Sequence, residues 1–173
     1  MSDLYAQTEV VSDSDQIAIR DGRMFRAYFK FTVAPLATKQ ILIRTATDNL
    51  TVFHGRFVDA VGANCEFTVY SPPTFSAQGT ENFKKFNMNS LSPKTTTARF
   101  WENPTIITKG NEVDAMILSG GNQAHVTSGS RDIMEFERIF SMGLYFLSEF
   151  TNTDNTNSVS VVYKLVWEEV NPG

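Results

Sequence analysis

Cysteine occurs once in the 173 residues, at Cys65, and histidine twice, at His54 and His125. One thiol cannot close an intramolecular disulfide, so the chain has to hold itself together by burial alone. With two histidines and no serine in a G-x-S-x-G elbow, a nucleophile-and-base triad has nothing to be built from, and the expectation is a protein that is not an enzyme. Metal spacings are missing as well: there is no C-x-x-C and no H-E-x-x-H, and Asp13-Ser14-Asp15 lacks the glycine and closing glutamate of a calcium loop. Neither metal nor cofactor is therefore expected. Long apolar runs are absent too. The most apolar stretch, Phe140 to Phe150, is broken by Ser141, Gly143, Ser148 and Glu149, and it falls short of the ~20 residues that cross a bilayer. Four acids (Asp3, Glu9, Asp13, Asp15) precede the first base, Arg20, unlike a secretory n-region, so the expectation is a chain made and kept in a reducing cytoplasm with no membrane partner. Basic runs end at Lys84-Lys85 in a chain of formal net charge −4. No nucleic-acid partner is expected from that balance; a protein or polysaccharide is.

What is present in quantity is phenylalanine, 14 residues of it, set among Thr and Val in short alternating runs that Gly, Pro, Asn and Ser clusters separate. That is the pattern of strands. In Arg26 to Val33, Ala27, Phe29, Phe31 and Val33 share one face, and Arg26, Tyr28, Lys30 and Thr32 share the other. Further strands are expected at Gln40–Thr45, Thr51–Ala60, Cys65–Val69, Thr95–Glu102, Val113–Leu118, around Phe136–Phe140, Leu144–Phe150 and Val159–Trp167. About eight or nine strands and little helix predict an all-β, single-domain antiparallel β-sandwich of the jelly-roll kind over residues 17–170, with an arm at 1–16 and a tail at 171–173. The last two strands alternate on either side of the polar loop Thr151–Asn157, which predicts that they pair with each other. The Asn/Lys-rich link Asn82–Lys94 and the Gly/Ser-rich loop Ser119–Arg131 are the candidate mobile or partner-ordered segments.

One internal echo is visible. Pro73-Thr74, four residues, then Gly79-Thr80-Glu81 is matched by Pro104-Thr105, four residues, then Gly110-Asn111-Glu112, each after an aromatic-bearing strand through Tyr70 or Trp101. Each copy reads as a strand end and its exit loop, which suggests pseudo-equivalent edges of one sandwich. Single residues read more plainly. His54 alternates with strand residues as a wall residue, His125 falls in the Gly/Ser loop, and Cys65 shares a face with Phe67 and Val69 as a small buried hydrophobe. Ser119-Gly120-Gly121-Asn122 has neither the lysine nor the spacing of a phosphate-binding loop. Glu66, Asp59, Glu81, Glu102, Glu112 and Asp114 are scattered on or near strands, and no spacing singles out a glycosidase pair. Tyr28, Tyr70 and Trp101, if exposed, could stack on sugars, although strand aromatics are more often core or subunit contacts.

The segment Ile19-Arg20-Asp21-Gly22-Arg23-Met24-Phe25, the Pro/Ala turn and aliphatic strand Ala34–Ile43, and Glu66-Phe67-Thr68-Val69-Tyr70 before Pro73-Thr74 and Gly79-Thr80 form one ordered set. Asn82-Phe83-Lys84-Lys85-Phe86-Asn87-Met88-Asn89-Ser90, Asn103-Pro104-Thr105 with Gly110, Leu144-Tyr145-Phe146-Leu147, Phe150-Thr151-Asn152 and the ending Val159 to Trp167-Glu168 continue it. In that order they resemble the small jelly-roll decoration, cement or head-stabilising proteins encoded beside the major capsid gene of many tailed bacteriophages, over about Ile19 to Glu169. The resemblance implies a non-enzymatic virion protein on the outer capsid surface, with the major capsid protein as partner and a homo-dimer or homo-trimer as its own state. Beside it stands the expectation that Asp3, Leu4, Tyr5, Val10 and Val11, in the acidic N-terminal arm, touch the capsid. Val162 and Val166, apolar on the outward side of the last strand, are the candidate subunit contacts. The alternative reading is a carbohydrate-binding or receptor-binding β-sandwich module of a phage particle.

Overall fold

A computed structural model describes residues 13–82, 84–120 and 138–173. A short helix α1 (Asp13–Arg20) leads into β1 (Met24–Val33), β2 (Thr38–Arg44), β3 (Leu50–Val61) and β4 (Cys65–Ser71). Five short strands follow, β5 (Thr74–Ala77), β6 (Thr80–Glu81), β7 (Lys85–Asn87), β8 (Arg99–Glu102) and β9 (Thr105–Thr108). The chain closes with β10 (Asn111–Leu118), β11 (Arg138–Phe140), β12 (Tyr145–Asn152) and β13 (Val159–Val170). The strands form a five-stranded sheet, β11-β3-β13-β1-β7, a six-stranded sheet, β10-β4-β12-β2-β8-β6, and a two-stranded ribbon, β5-β9. Every ladder is antiparallel.

Eight of these strands make the jelly roll. Taken in chain order, β1 pairs with β13, β2 with β12, β3 with β11 and β4 with β10, so the chain is one long hairpin of nested pairs. Rolling that hairpin up adds the pairs β3-β13 and β4-β12 and leaves the two sheets facing each other. Alternation does the rest. On β1 the pattern is the expected one, with Ala27, Phe29 and Val33 buried, Phe31 half-buried, and Arg26, Tyr28 and Lys30 exposed. Between the sheets lies an aromatic seam: Phe29 tilts against Phe100 at 5.6 Å, Phe67 against Phe150 at 4.8 Å, and Phe150 lies edge-on to Tyr163 at 5.1 Å. Such offset and edge-to-face geometries add to the burial of the rings themselves.

The last two long strands do not pair. β12 lies between β2 and β4 in one sheet, β13 between β1 and β3 in the other, and the polar loop crosses from sheet to sheet. A period of two reports which side of a strand is buried and is silent about its neighbour, so two adjacent alternating runs fit a hairpin and a sheet-to-sheet crossover equally well. The strands instead meet face to face, where the Ser148 and Tyr163 hydroxyls are 3.1 Å apart.

Three further segments take their detail from the structure. The helix takes in Asp13–Gln16, within the stretch the sequence reading places in the arm, and the Asp15 carboxylate sits 3.3 Å from Nδ1 of His54 on β3. A Schellman turn ends that helix: the Gly22 amide donates to the Ile19 carbonyl and the Arg23 amide to the Ala18 carbonyl, with Gly22 at φ +67°. The Asn/Lys-rich link is pinned by its own asparagines. Asn82, Asn87 and Asn89 each accept from the amide two residues on, Asn87 and Asn89 donate to the Gly22 and Arg20 carbonyls, and β7 adds an edge strand beside β1. In the expected strand Thr95–Glu102 only Arg99–Glu102 joins a ladder, since Thr96 and Thr97 spend their hydroxyls on Glu169 and Asp48.

The sequence echo becomes a local pseudo-two-fold. Its two copies do not form separate edges of the sandwich; they pair with each other as the β5-β9 ribbon, while β6 returns to β8 and β10 returns to β4. The glycines are reciprocal. A Cβ on Gly79 (φ +93°) would stand 2.3 Å from the Glu102 carbonyl oxygen, and one on Gly110 (φ +84°) 2.3 Å from that of Pro72.

Candidate interaction faces

Each sheet has an outer side, and the strand registers give the residues on it. On the five-stranded sheet, Val166 lies between Arg26 of β1 and Gly55 of β3, Lys164 between Tyr28 and Phe57, and Val162 between Lys30 and Asp59. Phe86 of β7 extends the Arg26 row. The result is a flat patch with half-buried Val162, Val166 and Phe57 at its centre. The stacked Tyr28–Phe86 pair, with centroids 6.0 Å apart, stands at one border. Lys84 holds its ammonium 5.6 Å from the Tyr28 ring centroid. Arg26, Lys30, Lys84 and Lys164 are all exposed here, and Asp59 is the one acid in these rows. The sequence places Arg26, Tyr28 and Lys30 together. Lys164 and Phe57 join them only through register.

At one end of this side α1 packs on β1, and there Ala18, Met24 and Val52 are buried. His54 fixes the helix there. It sits at the bulge where the β3-β13 register shifts, with Nδ1 on Asp15 and Nε2 on Glu168, each at 3.3 Å, and Arg23 shares Glu168. A wall role for His54 was the expectation, and its partners are structural.

On the six-stranded sheet the ribbon covers part of the outer side. Phe75 packs on Tyr145 at 5.1 Å, Trp101 stacks near Tyr145, and Leu42, Leu147 and Trp101 are buried beneath. Trp101, 5% exposed, is therefore out of reach of a sugar, and Tyr70 is half-buried under the Lys109 ammonium at 5.3 Å. Of the three aromatics with an expected sugar-stacking option, Tyr28 alone is exposed. The equivalent positions of the echo both reach down from the ribbon, Gln78 to the Tyr145 hydroxyl at 3.2 Å and Lys109 to buried Glu149 at 2.8 Å. That hydrogen bond raises the Lys109 pKa, against a smaller effect of burial. Beyond the ribbon, Glu66, Glu112, Ala115 and Ile117 face out, with Ile117 75% exposed.

The titratable groups are parcelled out among these elements. Glu81 holds Arg99 and Glu102 holds Lys39, while Asp59 and Glu66 lie on opposite sides of the molecule. Asp114 takes the inward-facing guanidinium of Arg56 at 2.5 Å, and that guanidinium lies 4.8 Å from the Phe67 ring centroid. This pair closes the margin between β3 and β10 beside a cavity of about 50 Å³ lined by Phe53, Phe140, Phe146 and Tyr163. Sequence reasoning missed Arg56 because the bulge at His54 reverses the parity of β3. Cys65 is fully buried, and burial, with Glu66 next to it, pushes its thiol up to about 11. It is held far from the reactive thiolate form. No group of three metal-binding side chains occurs among the described residues, and no helix there is long and apolar enough to cross a membrane.

Of the sequence-derived contact residues, Val162 and Val166 stand at the centre of the cationic patch. Asp3, Leu4, Tyr5, Val10 and Val11 lie outside the described residues, as does His125. Compared with known proteins, the chain matches no protein-family model and no curated relative.

Proposed function

We propose that this jelly roll is a non-enzymatic virion protein that binds the outer surface of a bacteriophage head and stabilises it by bridging capsid subunits. Its partners on this reading are the major capsid protein and other copies of itself, as a dimer or trimer, and its place is the outside of the head after synthesis in the host cytoplasm. The observation that carries the reading is the outer side of the five-stranded sheet, where half-buried Val162, Val166 and Phe57 are interleaved with exposed Lys164 and bordered on the β1 side by Arg26 and Lys30, on a framework whose interior is filled by aromatic side chains. A flat apolar patch with a polar rim suits a protein surface more than a small molecule, which prefers a concave site. The family resemblance of the sequence points the same way. The energetics are those of linkage: a subunit that binds the assembled shell and not its separated parts stabilises the shell by its binding free energy. The arm, with Asp3, Leu4, Tyr5, Val10 and Val11, adds a second contact to the shell in this reading.

The test is co-sedimentation with empty heads assembled from the major capsid protein of the phage that this reading implies. Saturable binding to heads, absent with unassembled capsid subunits, and a higher dissociation temperature of the decorated heads are expected. Heads that sediment without the protein would sink the reading. The exposed Tyr28–Phe86 pair favours the second reading, a carbohydrate-binding module. A glycan array separates the two, because cementing yields no sugar signal.

A further inference from the structure

We infer that the outer side of the five-stranded sheet docks onto a carboxylate-bearing protein surface, that of the shell, and does not pair with the same side of a second copy of this chain. The inference rests on the head-binding reading and names the surface that performs it. Val162 and Val166, expected to be subunit contacts, become contacts to the shell.

The charges decide. In a chain of net charge −4 the three rows of this side gather Arg26, Lys30, Lys84 and Lys164 against Asp59, while Asp15 and Glu168 at the covered end are taken up by His54 and Arg23. Among the described residues no ion pair takes up Arg26, Lys30 or Lys164. A two-fold interface brings the same patch of both copies together, so each copy would set its four cations against four more. Like charges brought together in a desolvated contact oppose it, and a partner presenting carboxylates gains from the same cations. The centre matches that partner. Val162, Val166 and the Phe57 ring, whose edge lies over Gly55, give apolar area on either side of the exposed Lys164, which a carboxylate of the partner can take up. A nucleic acid fits less well, since the net charge of the chain repels a polyanion at long range and the apolar area of Val162 and Val166 has no counterpart on a phosphate backbone.

The experiment compares the full chain with the double variant Lys30→Glu/Lys164→Glu in binding to empty heads. Both side chains are exposed, so the variant should melt with the parent, and a neutral variant, Lys30→Gln/Lys164→Gln, guards against a folding defect. The expected result is at least about tenfold weaker head binding for the glutamate variant, a smaller loss for the glutamine variant, and a matching loss for the parent as salt is raised. Parent-like head binding by the glutamate variant overturns the inference and leaves the head-binding reading standing. Failure of the parent itself to bind heads ends both. Light scattering of the protein alone and binding of a single-stranded oligodeoxythymidine complete the test. If the glutamate variant loses self-association, the occupant is a second copy; if the parent binds the oligonucleotide as tightly as it binds heads, the occupant is a nucleic acid. Either outcome overturns the inference.

Discussion

Glu169 shows how a single residue of this fold couples to pH. Its carboxylate is buried near the end of β13, accepting a hydrogen bond from the Trp167 indole at 3.1 Å and another from the Thr96 hydroxyl. Burial raises its pKa from 4.5, more than the two hydrogen bonds lower it. A carboxyl whose pKa is higher in the folded than in the unfolded chain stabilises the fold fully below the unfolded value. That contribution is lost as pH rises through the folded value. Glu169→Gln keeps an acceptor for both donors and carries no charge. Its stability relative to the parent should therefore climb from about pH 4.5 upward and level off above the folded pKa. Urea denaturation of the two proteins across pH 4 to 8 measures this, and a constant difference would refute the assignment. At the same scale, Arg56 and Cys65 are features of the margin and the core: one is held by Asp114 and Phe67, the other is kept protonated by burial.

Among the elements, the ribbon depends on backbone that glycine supplies at two reciprocal crossings. Gly79 and Gly110 sit at positive φ, and each turns where the other copy of the echo passes, so a side chain at either position meets a carbonyl oxygen. Gly143 is the internal control. It also has positive φ, +69°, but the nearest atom to its Cβ position is the Thr47 methyl carbon at 3.9 Å. Alanine at 143 should cost about 1 kcal/mol, the left-handed penalty alone. Alanine at 110 should cost about 3 kcal/mol, because the clash with backbone adds to that penalty. Chemical denaturation of the two variants decides it, and equal losses would show that the ribbon is not held at this crossing. The echo was legible in the sequence as two turns with the same spacing. That the turns interlock was not, since a repeat states likeness and not adjacency.

For the whole molecule, nesting controls folding. Met24 pairs with Glu168, and the pairs that enclose the fold join the two ends of the chain. Closing such loops costs chain entropy before any long-range contact repays it, so the fold belongs with the slow all-β class. Refolding followed by Trp101 and Trp167 fluorescence should take milliseconds to seconds; completion within about 100 microseconds would contradict the nested order.

Legible in the chain alone were the all-β class and the long strands, the inward face of β1, the burial of Cys65, the turns at Gly79 and Gly110 and the scarcity of groups for triad or thiol chemistry. These follow from side-chain period, backbone freedom and residue type, all properties of a short stretch of chain. The assembled fold sets which strands are neighbours, and with that the separation of β12 from β13, the cover of Trp101 by the ribbon, the inward turn of Arg56 and the meeting of Lys164 with Tyr28, Phe57 and Lys30 on one face. The physical reason is that a strand's alternation fixes the side on which it is buried. Its partner and register are fixed by how the entire hairpin rolls up, a choice made by contacts between residues far apart in the chain.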